Sequence, residues 1–166
     1  KKRNKITRAK NMSKPWLSVL IPTYNGEKYL VKALNSIAIQ DDFDIECLAI
    51  DDGSTDETLA ILQYFQTKIP LKIVQREPQK NWVANTNYLL NMARADYVCF
   101  LHQDDMWLTW RLMILKKLTI QFPEANLILN PSIFVFTGLS LWEVNPVSIN
   151  DVFASVATNM GRMTAV

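Results

Sequence analysis

The stretch LSVLIPTYNG, residues 17–26, decides the fold predicted for this chain of 166 residues. It opens with a mostly apolar run that Pro22 ends, which is typical of a short buried strand. Asn25-Gly26 is a turn signal. The apolar residues after the turn have the spacing of one helix face: Leu30, Ala33, Leu34 and Ile37. The stretch therefore predicts a strand that passes through a tight turn into a helix.

The order of a strand followed by a helix repeats three more times along the chain. Strand-like apolar runs lie at residues 45–50, 71–75 and 97–101. Helical patterns follow them at residues 54–65, 82–94 and 108–121. The first of these helices begins with Ser54-Thr55-Asp56-Glu57, which has the form of a capping box with Ser54 as N-cap. Its predicted buried stripe is Leu59, Leu62 and Phe65. Two more apolar runs, 127–129 and 133–136, are predicted strands.

Strands that are apolar throughout, rather than alternating, favour an α/β fold in which helices cover both faces of a mostly parallel sheet. Ligands of such sheets bind at the carboxyl ends of the strands. Three polar clusters follow strands here: Thr23-Tyr24-Asn25, Asp51-Asp52 and Asp104-Asp105. We therefore predict one binding site on that edge of the sheet.

Asp104 and Asp105 are the most informative pair, because adjacent carboxylates at a strand end repel each other unless a cation lies between them. Carboxylate oxygens suit Mn²⁺ or Mg²⁺, which take further ligands from substrate phosphates. The alternative is a turn or a helix cap. Asp51 and Asp52 also have two possible roles: their carboxylates either contact a nucleoside or stabilise the Asp-Gly turn. Tyr24 either stacks on a nucleobase or packs locally.

The amino-acid composition limits the classes of ligand and partner that the chain can bind. The formal net charge of +2 is too small to indicate a nucleic-acid ligand. Seven Lys and Arg residues precede residue 15, which is typical of a solvated tail, with contact to anionic lipid as the alternative. Cys47 and Cys99 lie in apolar segments, as core thiols of a reducing compartment do. These features favour a cytoplasmic protein that binds peripherally, if at all, to the inner face of the membrane.

Three blocks of the sequence together resemble the signatures of family 2 glycosyltransferases: residues 18–25 (SVLIPTYN), 50–56 (IDDGSTD) and 103–107 (QDDMW). The resemblance covers about residues 16–123 and implies the GT-A fold, a Rossmann-like mostly parallel sheet. The last block is similar to a bacterial subgroup of rhamnosyltransferase-like enzymes of cell-surface polysaccharides. The implied reaction is transfer of a sugar, with inversion, from a UDP- or dTDP-sugar to a saccharide or lipid-linked acceptor.

The resemblance also implies roles for single residues. Pro22, Thr23 and Tyr24 would line the nucleobase pocket, and Glu27 lies where the family often has an acidic residue near the nucleoside. Asp52, with Asp51, would bind the base or ribose. Asp104 and Asp105 would hold the divalent metal, Asp104 also contacting the nucleotide-sugar.

The chain also departs from the family pattern. His102 stands where family members commonly carry aspartate, Asn81 stands at a usual glycine, and Asn85-Thr86-Asn87 replaces a triplet that usually contains arginine. About sixty residues follow Asp105, and among them Glu143 and Asp151 are the acids after Glu124. Neither lies in a motif that identifies the general base.

We therefore expect a chain truncated in its acceptor half, with a basic tail at 1–15, a donor-binding core at 16–123 and a short remnant at 124–166. Such a remnant would leave an apolar patch exposed and favour self-association. The alternative function is a catalytically deficient nucleotide-binding or interaction module of the same fold.

Overall fold

A computed structural model describes residues 14–40 and 42–128 of the chain. Four strands and four helices alternate there: β1 (Leu17–Thr23), α1 (Glu27–Ala38), β2 (Ile45–Asp51), α2 (Thr58–Phe65), β3 (Leu71–Val74), α3 (Trp82–Met92), β4 (Tyr97–Phe100) and α4 (Arg111–Gln121). Leu127 and Ile128 form no strand, and the rest of the predicted strands at 127–129 and 133–136 lies outside the described residues. The strand–helix order predicted for residues 17–121 is confirmed.

The chain divides into two compact units after Trp107. The first contains the whole described sheet with α1, α2 and α3, and the second contains α4. The predicted boundaries at residues 15 and 123 stay predictions. Within the two described ranges, no helix has both the length and the apolar composition that crossing a membrane requires.

The sheet is parallel throughout, in the order β3-β2-β1-β4. In its register, Leu20 of β1 lies between Leu48 of β2 and Phe100 of β4, and Thr23 lies beside Asp51. Since parallel strands end on the same side, the loops after β1, β2 and β4 meet at one edge. The predicted parallel sheet is confirmed.

Helices pack on both faces of the sheet, as predicted. Leu20, Leu48, Ile50 and Val74 form a buried cluster with Leu89 of α3 on one face. Side chains alternate along a strand, so the fully buried Val19, Ile21, Cys47 and Ala49 point to the other face. Helices α1 and α2 contact each other, and α2 contacts β2 and β3. Right-handed crossovers, the rule for parallel strands, would carry both helices over that second face.

At the amino ends of the strands, a buried carboxylate ties three segments together. Glu46 of β2 accepts hydrogen bonds from Ser18 Oγ of β1 at 2.7 Å, from Arg94 N at 2.7 Å and from Arg94 Nε at 2.8 Å. Burial raises the pKa of Glu46, but the hydrogen bonds from Ser18 and Arg94 and the Arg94 charge outweigh it. The pKa of this carboxyl is therefore below its ordinary value.

The predicted capping box at Ser54 is wrong. Helix α2 begins at Thr58, and the carboxylate of Asp56 accepts the Thr58 amide hydrogen bond at 3.0 Å. Ser54 instead directs its hydroxyl and its amide to Asp51. That bond holds Ser54 in the turn after β2, so helical geometry starts four residues later, and Leu59, predicted to be buried, is exposed.

Candidate functional site

A cleft of about 400 Å³ opens at the carboxyl ends of the strands, and the described residues that line it belong to the first unit. The segments after β1, after β2, before and within α3, and after β4 supply its walls. The lining residues are Pro22, Thr23, Tyr24, Asp52, Lys80, Asn81, Trp82, Asn85, His102, Gln103 and Asp104. Five of the eight residues predicted for the site therefore meet in one cleft, at the predicted edge of the sheet.

Pro22, Thr23 and Tyr24 form the wall at the end of β1. Pro22 and Thr23 are buried, and the Thr23 hydroxyl donates to the carbonyl of Ile50 at 3.0 Å. That bond fixes the end of β1 against β2. Tyr24 follows directly and is 51% exposed, so its ring is open to solvent at the cleft. A ring in this position can stack on a planar ligand.

Asp52 lies at the floor of the cleft and is only 6% exposed. Its two carboxylate oxygens accept hydrogen bonds from the backbone N–H groups of Gln79 at 2.5 Å and of Asn81 at 3.2 Å. Asn81 then caps α3, because its Oδ1 accepts from Val83 N and Ala84 N. Asp52 thus fixes the loop that leads into α3. Each carboxylate oxygen has a second lone pair that a ligand can use.

Glu27 and Asp51, also predicted for the site, do not line the cleft. Glu27 belongs to the loop interlock, which we define as the hydrogen bonds that join residues 24–27 to residues 54–58, and Asp51 accepts from Ser54, one of its members. Its backbone donors and side-chain acceptors are Asn25 N to Ser54 Oγ (2.9 Å), Thr55 N to Asn25 Oδ1 (2.9 Å), Gly26 N to Thr58 Oγ1 (2.7 Å), Glu27 N to Asp56 Oδ2 (3.1 Å) and Glu57 N to Glu27 Oε2 (3.0 Å). The interlock holds the end of β1 beside the end of β2.

Gln103 connects the segment after β4 to the segment after β1. Its Oε1 accepts from Tyr24 N at 2.8 Å, and its Nε2 donates to Tyr24 O at 3.0 Å. Gly26 leaves room for this side chain, since a Cβ there would be 2.6 Å from Gln103 Oε1. The positions of Tyr24 and of the neighbouring Asp104 are therefore coupled through one amide group.

Asp104 and Asp105 follow in the turn closed by Asp105 N and His102 O. Both are exposed, and neither side chain bonds to another residue within 14–40 or 42–128. Asp104 lines the cleft and Asp105 does not. The described part of the chain contains no group of three His, Cys, Asp or Glu side chains that could hold a metal without help. Two open carboxylates do fit a cation that takes its other ligands from a substrate.

Six residues that line the cleft were not among the predicted site residues: Lys80, Asn81, Trp82, Asn85, His102 and Gln103. The Trp82 and His102 rings meet edge to face, with centroids 5.9 Å apart. Asn85 of α3 is 2% exposed, and its Oδ1 has no partner in the described structure. For Lys80, Trp82 and Asn85, the sequence signal was the start of a helix at residue 82. The residue before it, Asn81, has the side-chain chemistry of an N-cap.

Comparisons with known proteins agree with this geometry. Residues 18–122 match the family called Glycosyl transferase family 2. Over 91 residues, the chain is 40% identical to the poly(ribitol-phosphate) beta-N-acetylglucosaminyltransferase TarS of Staphylococcus aureus (strain MW2), covering 53% of this chain and 16% of TarS. Over 92 residues, it is 39% identical to the dTDP-rhamnosyl transferase RfbG of Shigella flexneri, covering 51% of this chain and 32% of RfbG.

Among solved structures, the crystal structure of S. aureus TarS 1–349 in complex with UDP is similar, with a TM-score of 0.62 and 34% sequence identity. The likeness covers 64% of this chain and 32% of that one. The predicted GT-A architecture is confirmed by it. The matched region is less than a third of the length of each of these relatives.

Proposed function

Because the chain belongs to glycosyl transferase family 2, we propose that it binds the donor in an inverting transfer of a sugar from a nucleoside diphosphate sugar to an acceptor hydroxyl. The observation that carries this proposal is the cleft at the strand ends, which combines an open aromatic ring, a buried carboxylate and an exposed acidic turn. The likeness to TarS, solved with UDP, supports a UDP-sugar, and the RfbG name supports a dTDP-sugar as the alternative donor.

The nucleoside would lie between the ends of β1 and β2. Pro22 and Thr23 form an apolar wall that is already fixed by the Thr23–Ile50 bond, so it needs no rearrangement on binding. The exposed Tyr24 ring would stack on the base. Asp52 would accept a hydrogen bond from the base or the ribose while it keeps its bonds to Gln79 and Asn81.

The diphosphate would face Asp104, with Asp105 beside it in the same turn. These carboxylates would hold Mn²⁺ or Mg²⁺, which on binding neutralises charge on the departing diphosphate. The role of the protein here is to fix the turn. Gln103 does so by its two bonds to the Tyr24 backbone, and Trp107 does so because its amide donates to Ser36 Oγ at 3.0 Å.

Transfer also requires a base that takes the proton of the acceptor hydroxyl. We propose a saccharide or a lipid-linked saccharide as that acceptor. Glu143 and Asp151, the acids considered for the base, lie outside the described residues. The alternative of a non-catalytic binding module gains nothing from the comparisons, since the relatives reported above are transferases by name.

Calorimetry on the 166-residue chain tests the proposal. UDP and dTDP are titrated in Mn²⁺, in Mg²⁺ and in EDTA, with ADP as the control for base selectivity. We expect binding of one pyrimidine nucleotide that weakens in EDTA, and little binding of ADP. Failure of both UDP and dTDP to bind under any of these conditions would overturn donor binding. Equal affinity with metal and with EDTA would overturn the metal assignment alone.

A further inference from the structure

The backbone at Lys80 has a conformation that its residue type disfavours. Its φ is 50°, in the left-handed region that glycine and asparagine enter more readily than lysine. The amides on both sides of it, Gln79 N and Asn81 N, are held by the two oxygens of the buried Asp52 carboxylate. The conformation is therefore imposed by Asp52 rather than adopted by a loose loop.

Such conformations cost free energy, and they cluster at active sites and ligand-binding sites. A glycine or an asparagine at this position would make the same turn with less strain. Lys80 is one of the residues that line the cleft, together with Asp52 and Asp104. A lysine at this strained position needs a reason in the ligand rather than in the turn.

The charge of Lys80 supplies that reason. Among the eleven described residues that line the cleft, Lys80 is the one lysine or arginine. Within the described chain it forms no salt bridge and no side-chain hydrogen bond, even though two acidic residues line the same cleft. An unpaired ammonium group on a residue that lines a cavity suits an anionic ligand group.

We propose that Lys80 is a phosphate-binding residue of the donor site, whose ammonium group pairs with a non-bridging oxygen of the nucleotide phosphates. This inference rests on the proposed function. It assigns to Asp52 a second task as a positioning residue, because the carboxylate that shapes the turn also orients Lys80. The phosphates would then meet two separate cationic groups, the metal at Asp104 and the Lys80 ammonium.

The test compares K80N with the wild-type chain and with K80R, using uridine, UMP and UDP as probes in EDTA so that no metal contributes. Asparagine tolerates the left-handed conformation, so K80N should be at least as stable as wild type in thermal unfolding. The matched control is K32N, which removes an exposed lysine of α1 outside the cleft.

We expect K80N to weaken UDP and UMP binding about tenfold, the size of one charge-assisted contact, and to leave uridine binding within about twofold. K80R should keep most of the affinity because it keeps the charge. UDP affinity should also depend less on salt in K80N than in wild type or K32N.

Several results would overturn the assignment. If wild type binds UDP and K80N binds it equally well, Lys80 does not contact phosphate, and the proposed donor site stands. An equal loss for uridine and UDP would mean that K80N damages the nucleoside wall instead. If the wild-type chain binds neither UDP nor dTDP, the proposed function fails and the Lys80 assignment fails with it.

Discussion

Glu46 and Asp104 are carboxylates at opposite ends of the same sheet, and their surroundings are opposite. Glu46, at the amino ends of the strands, is 7% exposed and accepts three hydrogen bonds from Ser18 and Arg94. Asp104, after β4, is exposed and bonds to no side chain or amide in the described ranges. Paired, buried carboxylates hold the fold, whereas open carboxylates beside a cleft are available to a ligand. Each prediction below tests this division.

The largest effect is expected for D104N. If Asp104 holds the metal, this change should weaken UDP binding in Mn²⁺ about 100-fold, since a metal contributes several kcal/mol at a diphosphate. Thermal unfolding should change little, because the side chain supports no other described residue. Calorimetry in Mn²⁺ and in EDTA measures the effect, and D105N shows whether the second carboxylate contributes as much. A D104N variant with normal metal-dependent binding would remove Asp104 from the site.

E46Q should have the opposite profile, with lower stability and unchanged ligand affinity. The neutral amide weakens bonds to the hydroxyl, amide and guanidinium donors, and we expect the free energy of unfolding to fall by about 2 kcal/mol. Urea denaturation measures the change, and UDP affinity at a temperature where both proteins are folded is the control. Loss of UDP binding by folded E46Q would show that the two ends of the sheet are coupled.

The pH dependence of stability follows from the same carboxylate. Its pKa is lowered in the folded state, so the unfolded state binds its proton more tightly. The stabilisation from Glu46 is therefore present above its unfolded pKa, near 4.5, and is lost as the pH falls through the lower folded pKa. The urea concentration at the midpoint of unfolding is measured between pH 3 and pH 7. As the pH falls toward 3, this midpoint should decrease more steeply for wild type than for E46Q. Parallel curves would contradict the lowered pKa.

The sequence predicted the strands and the edge of the sheet well, because both depend on local apolar runs. The strand predicted from the apolar run before Pro22 is present, although β1 continues through Pro22 to Thr23. The helix face of Leu30, Ala33, Leu34 and Ile37 is as predicted, and all four residues are buried. The runs of hydrophobic residues identify buried strands, and their order implies parallel pairing. The polar residues after them then fall at one edge by topology alone.

The sequence predicted only some of the polar residues that line the cleft. Asp51 and Asp52 are neighbours in sequence, yet Asp51 bonds to Ser54 in the turn and Asp52 lies in the cleft. Asp51 is the last residue of β2 and Asp52 the first residue after it, and the partners of Asp52, Gln79 and Asn81, come from a distant segment. Gln103 bonds to the Tyr24 backbone, 79 residues away, and such a side-chain–backbone pair leaves no periodic pattern in the sequence.

D52N tests the carboxylate that belongs to both classes, since it is buried and paired yet lines the cleft. The amide nitrogen that this change introduces cannot accept a hydrogen bond from the backbone N–H of Gln79 or Asn81. The loop before α3 should therefore loosen, and the nucleoside contact should weaken. We expect UDP and uridine affinities to fall about tenfold even in EDTA. D104N, by contrast, should match wild type in EDTA. Identical behaviour of the two variants would contradict separate nucleoside and metal roles.

Q103A should produce a smaller loss, about fivefold in UDP affinity, because it removes two hydrogen bonds that only position other residues. One part of the loss in UDP affinity should remain in EDTA, because Gln103 positions Tyr24. The other part should appear only with metal, because Gln103 also positions Asp104. G26A is the matched variant, since its Cβ would displace the same side chain. The two changes combined should cost little more than either alone, as expected for one shared contact. Additive losses would contradict the connection through Gln103.

The smallest effect is expected for Glu27, where the family resemblance and the structure favour different roles. The resemblance implies an acid near the nucleoside, whereas Glu27 is exposed, lies outside the cleft and accepts from Glu57 N at 3.0 Å. A glutamine can accept the same bond, so E27Q should change UDP affinity less than twofold and stability by less than about 0.5 kcal/mol. Calorimetry and urea denaturation, run beside D52N, measure both. A tenfold loss of affinity in stable E27Q would show that Glu27 contacts the bound nucleotide, and that the loop interlock rearranges when the donor binds.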